Sequence, residues 1–143
     1  MTKMFSKESV IADWTANTTG TTAASGTIVD TDGYENVLVL AKLETSQAAA
    51  RLTCLGGTAT DAMSDYTGPT AGQVLGVAPN LYLDVHRPKK RYFQGICYAS
   101  AGGQNIQIVT ILYGPRSTPT SNSTLVNGLQ LYTPNSGTAS TTG

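Results

Sequence analysis

Few residues in this sequence have a type and spacing that could carry out chemistry. His86 is the single histidine, and it lies in the basic run His86-Arg87-Pro88-Lys89-Lys90-Arg91. A hydrolytic triad needs a histidine held by an orienting group beside a nucleophile. No such arrangement accompanies His86. We therefore predict that the chain is not an enzyme and has no catalytic residue.

Two pairs of carboxylates lie close enough in sequence to act as cation ligands. Asp30-Thr31-Asp32-Gly33 resembles part of a calcium loop, but the later ligands and the closing glutamate of an EF-hand are missing. Asp61 and Asp65 lie in a stretch with no strand pattern, where a solvated surface is the simpler interpretation. The sequence also has no Gly-rich phosphate loop with a lysine. We expect no metal site and no cofactor.

The two cysteines, Cys54 and Cys97, are far apart in sequence, and each lies in an apolar run typical of a strand. We predict that both are buried free thiols, because unpaired cysteine behaves as a small apolar residue. A disulfide between two strands would require an oxidising compartment.

The basic run supports two interpretations that the sequence leaves open. It is either a solvated hairpin connection or a contact patch for an acidic partner surface. Arg87 and Arg91 could each bind a carboxylate in bidentate fashion, and Pro88 lowers the entropy lost on ordering. The next residue, Tyr92, is an amphipathic type enriched at interfaces.

The charges are distributed unevenly along a chain whose net charge is zero. Residues 1–85 contain nine acidic and four basic residues, a net charge of −5, and residues 86–143 contain five basic residues and no acid. This split is either chance clustering or complementarity between copies or with a partner. Nucleic-acid binding is not expected, because one cluster of four cations is too small for several phosphate contacts.

The composition favours strands over helices. Of 143 residues, 40% are hydrophobic and 13% are charged, the latter about half the usual share. Thr is β-branched, and Gly and Asn supply turns. Strands are predicted at 23–30, 34–43, 49–55, 73–77, 81–85, 91–98 and 106–113. We therefore predict an all-β chain, an antiparallel β-sandwich or jelly roll.

The strand at 34–43 is apolar on both faces, which predicts that it is central and covered on both sides. The strand at 106–113 is also apolar on both faces, apart from Gln107 and Thr110. Residues 58–79 are read as a long loop that contains the short strand at 73–77.

Three regions are predicted along the chain. Residues 1–22 form an N-terminal arm that includes a polar spacer at 17–22, residues 23–116 form the sandwich, and residues 117–143 form an extended C-terminal arm. Trp14 must bury its ring, either on its own domain or on a neighbouring subunit. The apolar residues of the C-terminal arm indicate docking on another surface, and they are Leu125, Val126, Leu129, Leu131 and Tyr132.

Short motifs across 34–139 resemble a known family. They are Leu83-Asp84-Val85-His86-Arg87-Pro88-Lys89-Lys90-Arg91-Tyr92, then Ile111-Leu112-Tyr113-Gly114-Pro115-Arg116, then Gly137-Thr138-Ala139. The chain resembles the head decoration, or cement, proteins of tailed bacteriophages, which are encoded near the major capsid protein. The stretch 58–79 matches nothing in that pattern.

The resemblance implies a β-sandwich subunit, dimeric or trimeric, that binds the outside of a phage capsid and bridges neighbouring major capsid subunits. Interfaces with the capsid or with other subunits are then predicted at the basic run with Tyr92, at Trp14 and in the C-terminal arm, and the capsid contacts themselves are predicted at the basic run and the arm. With no apolar signal sequence or membrane span visible, synthesis in the host cytoplasm is expected. The alternatives are a head–tail connector or tail protein, and a carbohydrate-binding module that uses Tyr66, Tyr82 and Tyr98.

Overall fold

The computed structural model describes residues 8–45, 50–65, 73–76, 79–99 and 103–116. These residues form ten strands and no helix, and hence no helix that could span a membrane. The strands are β1 (Ser9–Thr21), β2 (Ala23–Ser25), β3 (Val29–Asp30), β4 (Tyr34–Leu43), β5 (Ala50–Gly57), β6 (Met63–Asp65), β7 (Gln73–Gly76), β8 (Asn80–His86), β9 (Tyr92–Tyr98) and β10 (Gln104–Pro115). The prediction of an all-β chain is confirmed.

The strands form two antiparallel sheets. Sheet A has the order β1-β10-β4-β8, and sheet B has the order β2-β9-β5-β6. In sheet B, the short strand β3 also pairs with β9, and β7 also pairs with β5. The predicted antiparallel β-sandwich is therefore confirmed, and the jelly-roll topology stays a prediction.

The core lies between the two sheets and follows the two-residue period of each strand. In β4 the inward side chains are Val37, Val39, Ala41 and Leu43, each at most 4% exposed, and they face Phe93 and its neighbours from sheet B. Gly95 lets the sheets approach closely, because a Cβ atom there would lie 2.8 Å from Val39 Cγ1. Cys54 and Cys97 are buried free thiols, as predicted, and burial raises the pKa of Cys97 to about 11.

A buried carboxylate ties the edge of sheet A to sheet B. Asp13, only 3% exposed, accepts a hydrogen bond from the Thr27 backbone N–H at 3.0 Å and another from Thr15 Oγ1 at 2.7 Å. Thr27 lies between β2 and β3, so this contact fixes the start of the chain against the second sheet. Gly26 leaves room for it, since a Cβ atom there would lie 2.5 Å from Asp13 Oδ2.

The N-terminal segment differs from the predicted arm and polar spacer. Residues 9–21 form β1, which pairs with β10 along most of its length. Two register shifts, between Ile11 and Asp13 and between Asn17 and Thr21, break the alternation of inward and outward side chains. The segment therefore lacks the two-residue period by which a strand is recognised in sequence.

The predicted hairpin connection at the basic run is also wrong. Strand β8 pairs with β4 in sheet A, whereas β9 pairs with β5 in sheet B. The chain then returns to sheet A through β10. Residues 87–91 are thus a crossover between the two sheets, at one end of the sandwich. Side-chain alternation specifies which face of a strand is buried, but it does not specify the sheet to which the strand belongs.

Candidate functional site

The basic crossover is held in place by backbone contacts at the end of the sandwich. Arg87 adopts a left-handed conformation with φ of 51°, which is uncommon for a residue with a side chain. Its N–H donates to the Glu35 carbonyl oxygen at 2.6 Å, and this bond closes the end of β8 against β4. Further along, the Arg91 carbonyl oxygen accepts from the Thr31 N–H at 2.8 Å and from Thr31 Oγ1 at 2.6 Å. The crossover therefore has a defined shape.

Arg91 forms a bidentate ion pair, but its partner is in the same chain. Arg91 Nε and Nη2 donate to the two carboxylate oxygens of Asp30 at 2.9 and 2.8 Å. These hydrogen bonds lower the pKa of Asp30 below its ordinary value and raise that of Arg91. The Arg91 guanidinium also lies 5.4 Å from the centre of the Tyr92 ring, which is half-buried. Arg91 is therefore less available to a partner than the sequence suggested.

Two longer ion pairs repeat this pattern. Arg87 lies 4.0 Å from Glu35, and Arg116 lies 3.9 Å from Asp32. In all three pairs the acid precedes residue 86 and the base follows it. Folding therefore brings the two oppositely charged parts of the sequence together within one molecule, which reduces the charge left for complementarity between copies.

The remaining residues of the crossover are less constrained. Lys89 is exposed, and no carboxylate of the described residues lies within 4.0 Å of its ammonium group. Lys90 donates a hydrogen bond to Ser64 Oγ at 3.3 Å, which leaves its charge uncompensated by any acid in the described ranges. His86 is exposed, and its Nδ1 lies 2.5 Å from Asn36 Oδ1. The two lysines are therefore the cations that remain open to a partner.

The basic residues of the crossover, together with Arg116, surround a shallow cavity of about 520 Å³ at the end of the sandwich. Its basic lining residues are Arg87, Lys89, Lys90, Arg91 and Arg116. Arg116 is held there by its N–H, which donates to the Gly33 carbonyl oxygen at 2.9 Å. Since residues 117–143 follow Arg116 directly, the C-terminal segment leaves the described structure at the basic cavity. The predicted contact residues Leu125, Val126, Leu129, Leu131 and Tyr132 lie outside the described residues.

A second surface, which the sequence analysis did not identify, lies on the outer face of sheet A. The strand register aligns Trp14 with Val109, Val109 with Leu40, and Leu40 with Tyr82. We call these four residues the apolar row. Trp14 is 57% exposed, Leu40 39% and Tyr82 65%. Strand β4 is central, as expected, but its predicted cover on both faces is not found among the described residues at Leu40, and the Trp14 ring is more than half exposed.

The apolar row could have been noticed from two signals. Strands β4 and β10 are apolar on both faces, which requires a second covering layer, and the sequence offers no helix to provide one. Of the three tyrosines proposed for sugar binding, Tyr82 belongs to sheet A and Tyr98 to sheet B, where Arg51 lies 4.2 Å from its ring centre. Tyr66 lies outside the described residues. Tyr82 and Tyr98 therefore do not share a platform.

No catalytic or metal-binding geometry is found in the described ranges. They contain no group of three His, Cys, Asp or Glu side chains that could hold a metal ion. The hydrogen-bond partner of the His86 ring is an amide. The strongest chemistry that these residues offer is ionic and apolar contact with another surface.

Comparison with known proteins adds no family assignment. No protein-family model matches the chain, and no curated protein matches it in sequence.

Proposed function

We propose that this chain is a structural virion protein that binds the outer surface of a phage capsid and cements neighbouring major capsid subunits. One observation carries the proposal: the basic cavity and the start of the C-terminal segment coincide at Arg116. The two regions that the sequence analysis assigns to capsid contact can therefore act as one surface. The sequence motifs that resemble phage decoration proteins support the same function.

The proposed contact combines electrostatic and apolar contributions. Lys89 and Lys90 provide charge that is not neutralised by described residues of the chain, and a partner surface with carboxylates would complement it. The C-terminal segment would add apolar side chains to the interface. A shell presents many identical sites, so a modest affinity at each site is enough to hold neighbouring subunits together. In this proposal, the protein is made in the host cytoplasm and resides on the capsid exterior.

The experiment measures binding to purified particles that lack the protein. The double substitution Lys89→Ser with Lys90→Ser should weaken binding about fivefold at low salt, since exposed ion pairs contribute roughly 0.5 kcal/mol each. It should also reduce the dependence of binding on ionic strength. Both lysines lie on the surface, so the fold should be retained. Occupancy is read from the stained protein bands of purified particles.

The matched control is Arg51→Ser, which removes an exposed cation from the outer face of sheet B. It should leave occupancy unchanged. An occupancy and a salt dependence that are the same for wild type and the double variant would contradict the role of the crossover. Copy number tests the function as a whole: a decoration protein is present in hundreds of copies per particle, and a head–tail connector in about a dozen.

A carbohydrate-binding module is the second candidate, and one observation favours it. Trp14 and Tyr82 are both exposed on the same face of sheet A, and exposed aromatic rings can stack on sugars. A glycan array probed with the wild type and with Tyr82→Ala separates the two functions. Binding that is lost in the variant would support the module, and an array without binding would count against it.

A further inference from the structure

The outer face of sheet A carries opposite charges on the two sides of the apolar row. On β4, Lys42 lies two residues beyond Leu40 in one direction, and Leu38 lies two residues away in the other. Asp84 on β8 pairs with Leu38, so it lies on the side of the row opposite to Lys42. Four residues of strand separate Lys42 from the Asp84 position, about 14 Å, so the two charges are not partners within one chain.

The face also has a hollow on the Lys42 side of the row. The hollow has a volume of about 240 Å³ and lies between Leu40, Val109 and the polar pair Gln107 and Asn80. On the Asp84 side the neighbouring outward residues are apolar, namely Ile11, Ile111 and Leu38. One side of the face is therefore recessed and positively charged, whereas the other side is apolar and carries a negative charge. A surface with two such unlike halves can complement a rotated copy of itself.

We propose that a second copy of this chain covers the outer face of sheet A, with the two-fold axis running along the apolar row. Rotation about this axis reverses the strand direction and keeps each strand over its own equivalent. It places Lys42 of each copy near Asp84 of the other, and it repeats this contact by symmetry. The same rotation places the apolar Leu38 side of one copy over the hollow of the other. The four residues of the row meet their own equivalents at the centre.

Charge complementarity selects this axis over the other two-fold axis that keeps the sheets aligned. An axis along the strands would exchange β4 with β10 and β8 with β1. Lys42 would then face Gln107, and Asp84 would face Ile11. Each charge would lose water without gaining an opposite charge, which is unfavourable at an interface. Only the axis along the row pairs both charges.

The size of the face predicts a reversible dimer. Four strands at about 4.8 Å spacing are about 19 Å wide, and seven residues of strand are about 24 Å long. This footprint is smaller than that of a standard stable interface, which buries about 800 Å² of each partner. The dimer would form in purified protein without a capsid. A protein that fails to decorate particles could therefore still dimerise, and a protein that stays monomeric could still bind the capsid.

The test is sedimentation velocity of the purified full chain over a range of concentrations. Wild type should change from monomer to dimer as its concentration rises. Lys42→Glu should weaken the dimer roughly 100-fold, because it places two carboxylates near each other at both symmetric contacts. Asp84→Lys should do the same with two ammonium groups. Leu40→Glu should also produce a monomer, by placing like charges at the centre of the row.

Mixing the two charge-reversal variants gives the decisive measurement. In a mixed dimer of Lys42→Glu with Asp84→Lys, each contact joins one carboxylate and one ammonium group. Two variants that are monomeric alone should therefore form a heterodimer with an affinity near that of wild type. The other axis predicts no such recovery, because it does not bring positions 42 and 84 together.

The control is Asp61→Lys, a charge reversal at an exposed turn beside sheet B, which should leave the dimer unchanged. Circular dichroism checks that each variant is folded. If Asp84→Lys unfolds, Lys42→Glu can be mixed with Asp84→Asn, which should recover part of the affinity. A wild type that stays monomeric, a dimer that survives Lys42→Glu and Leu40→Glu, or the absence of recovery on mixing would overturn the proposal.

Discussion

The basic end of the sandwich and the outer face of sheet A differ in how far the chain pairs its own charges and covers its own apolar side chains. At the basic end, Asp30, Asp32 and Glu35 lie beside three of the five cations. On the outer face of sheet A, the apolar row is left open, with Trp14 more than half exposed. The basic end, which is conspicuous in the sequence, thus pairs most of its cations within the chain. The outer face of sheet A, which is inconspicuous in the sequence, leaves apolar area exposed that a partner could cover.

This difference shows that exposed charge and exposed apolar area carry different information about partners. A charged side chain in water is already well solvated, and an ion pair at the surface changes its free energy little. A contiguous apolar patch, in contrast, gains free energy whenever another surface removes it from water. The basic end is therefore suited to orienting a partner, and the outer face of sheet A is suited to holding one.

The largest expected effect distinguishes the two faces of β4. Leu43 is fully buried in the core, whereas Leu40 on the outer face is 39% exposed. Leu43→Ala should lower the free energy of unfolding by about 2–5 kcal/mol, because it removes buried methyl groups and leaves a cavity. Leu40→Ala should lower it by about 1 kcal/mol or less. Urea unfolding of both variants, at concentrations where the protein is monomeric, provides the comparison.

Leu40→Ala is the internal control for Leu43→Ala, because both variants replace leucine by alanine on the same strand but on opposite faces. Equal losses of stability would mean that the outer face is covered within the monomer, and the contrast between the two regions would then fail. A change in the slope of unfolding against urea would instead report altered compactness.

Much of the fold could be predicted from residue patterns. The alternation of Ala50, Leu52 and Cys54 identified β5 with its correct inward face, and the apolar run from Tyr34 to Leu43 identified β4 without distinguishing its inward face. Strand β1 could not be found, because its bulges place residues out of phase with a two-residue period. The crossover at residues 87–91 was also missed, since strand alternation contains no information about which sheet a strand joins.

The candidate site was predicted only in part. The basic run was visible as composition, and its position on the surface is as expected for Lys89 and Lys90. The ion pair between Arg91 and Asp30 joins residues 61 positions apart, so local sequence cannot reveal it. The apolar row joins four strands that are distant in the chain, and its alignment follows from register alone.

A medium-sized effect is expected on the outer face of sheet A, at the hydrogen bond between the Tyr113 phenol and the Asp84 carboxylate. Tyr113 Oη donates to Asp84 Oδ1 at 2.5 Å, and this bond, with burial, raises the pKa of Tyr113 to about 12. A raised pKa favours the protonated phenol in the folded state. The contribution of this hydrogen bond to stability is thus fully present below pH 10.0, the ordinary pKa of tyrosine, and is lost as pH rises through about 12.

Asp84→Asn should return the phenol to a pKa nearer 10.0, and tyrosinate absorbance during a pH titration would detect the change. Tyr113→Phe identifies the signal, because the late-titrating phenol should be missing from that variant. A wild-type titration with no late phenol would contradict the expectation. It would also remove the hydrogen bond that orients Asp84 on this face.

The smallest effect is expected at the basic end, where the Asp30–Arg91 pair is exposed to solvent. Because Arg91 lowers the pKa of Asp30 below 3.8, the pair stabilises the fold above that pH, and the contribution is lost as pH falls through the lower value. Asp30→Asn should therefore be slightly less stable than wild type at neutral pH and equally stable in strong acid. A double-mutant cycle with Arg91→Gln isolates the pair, and added salt should weaken the coupling. A coupling of the same size in strong acid would contradict the assignment of this contribution to the ion pair, because a protonated Asp30 carries no charge.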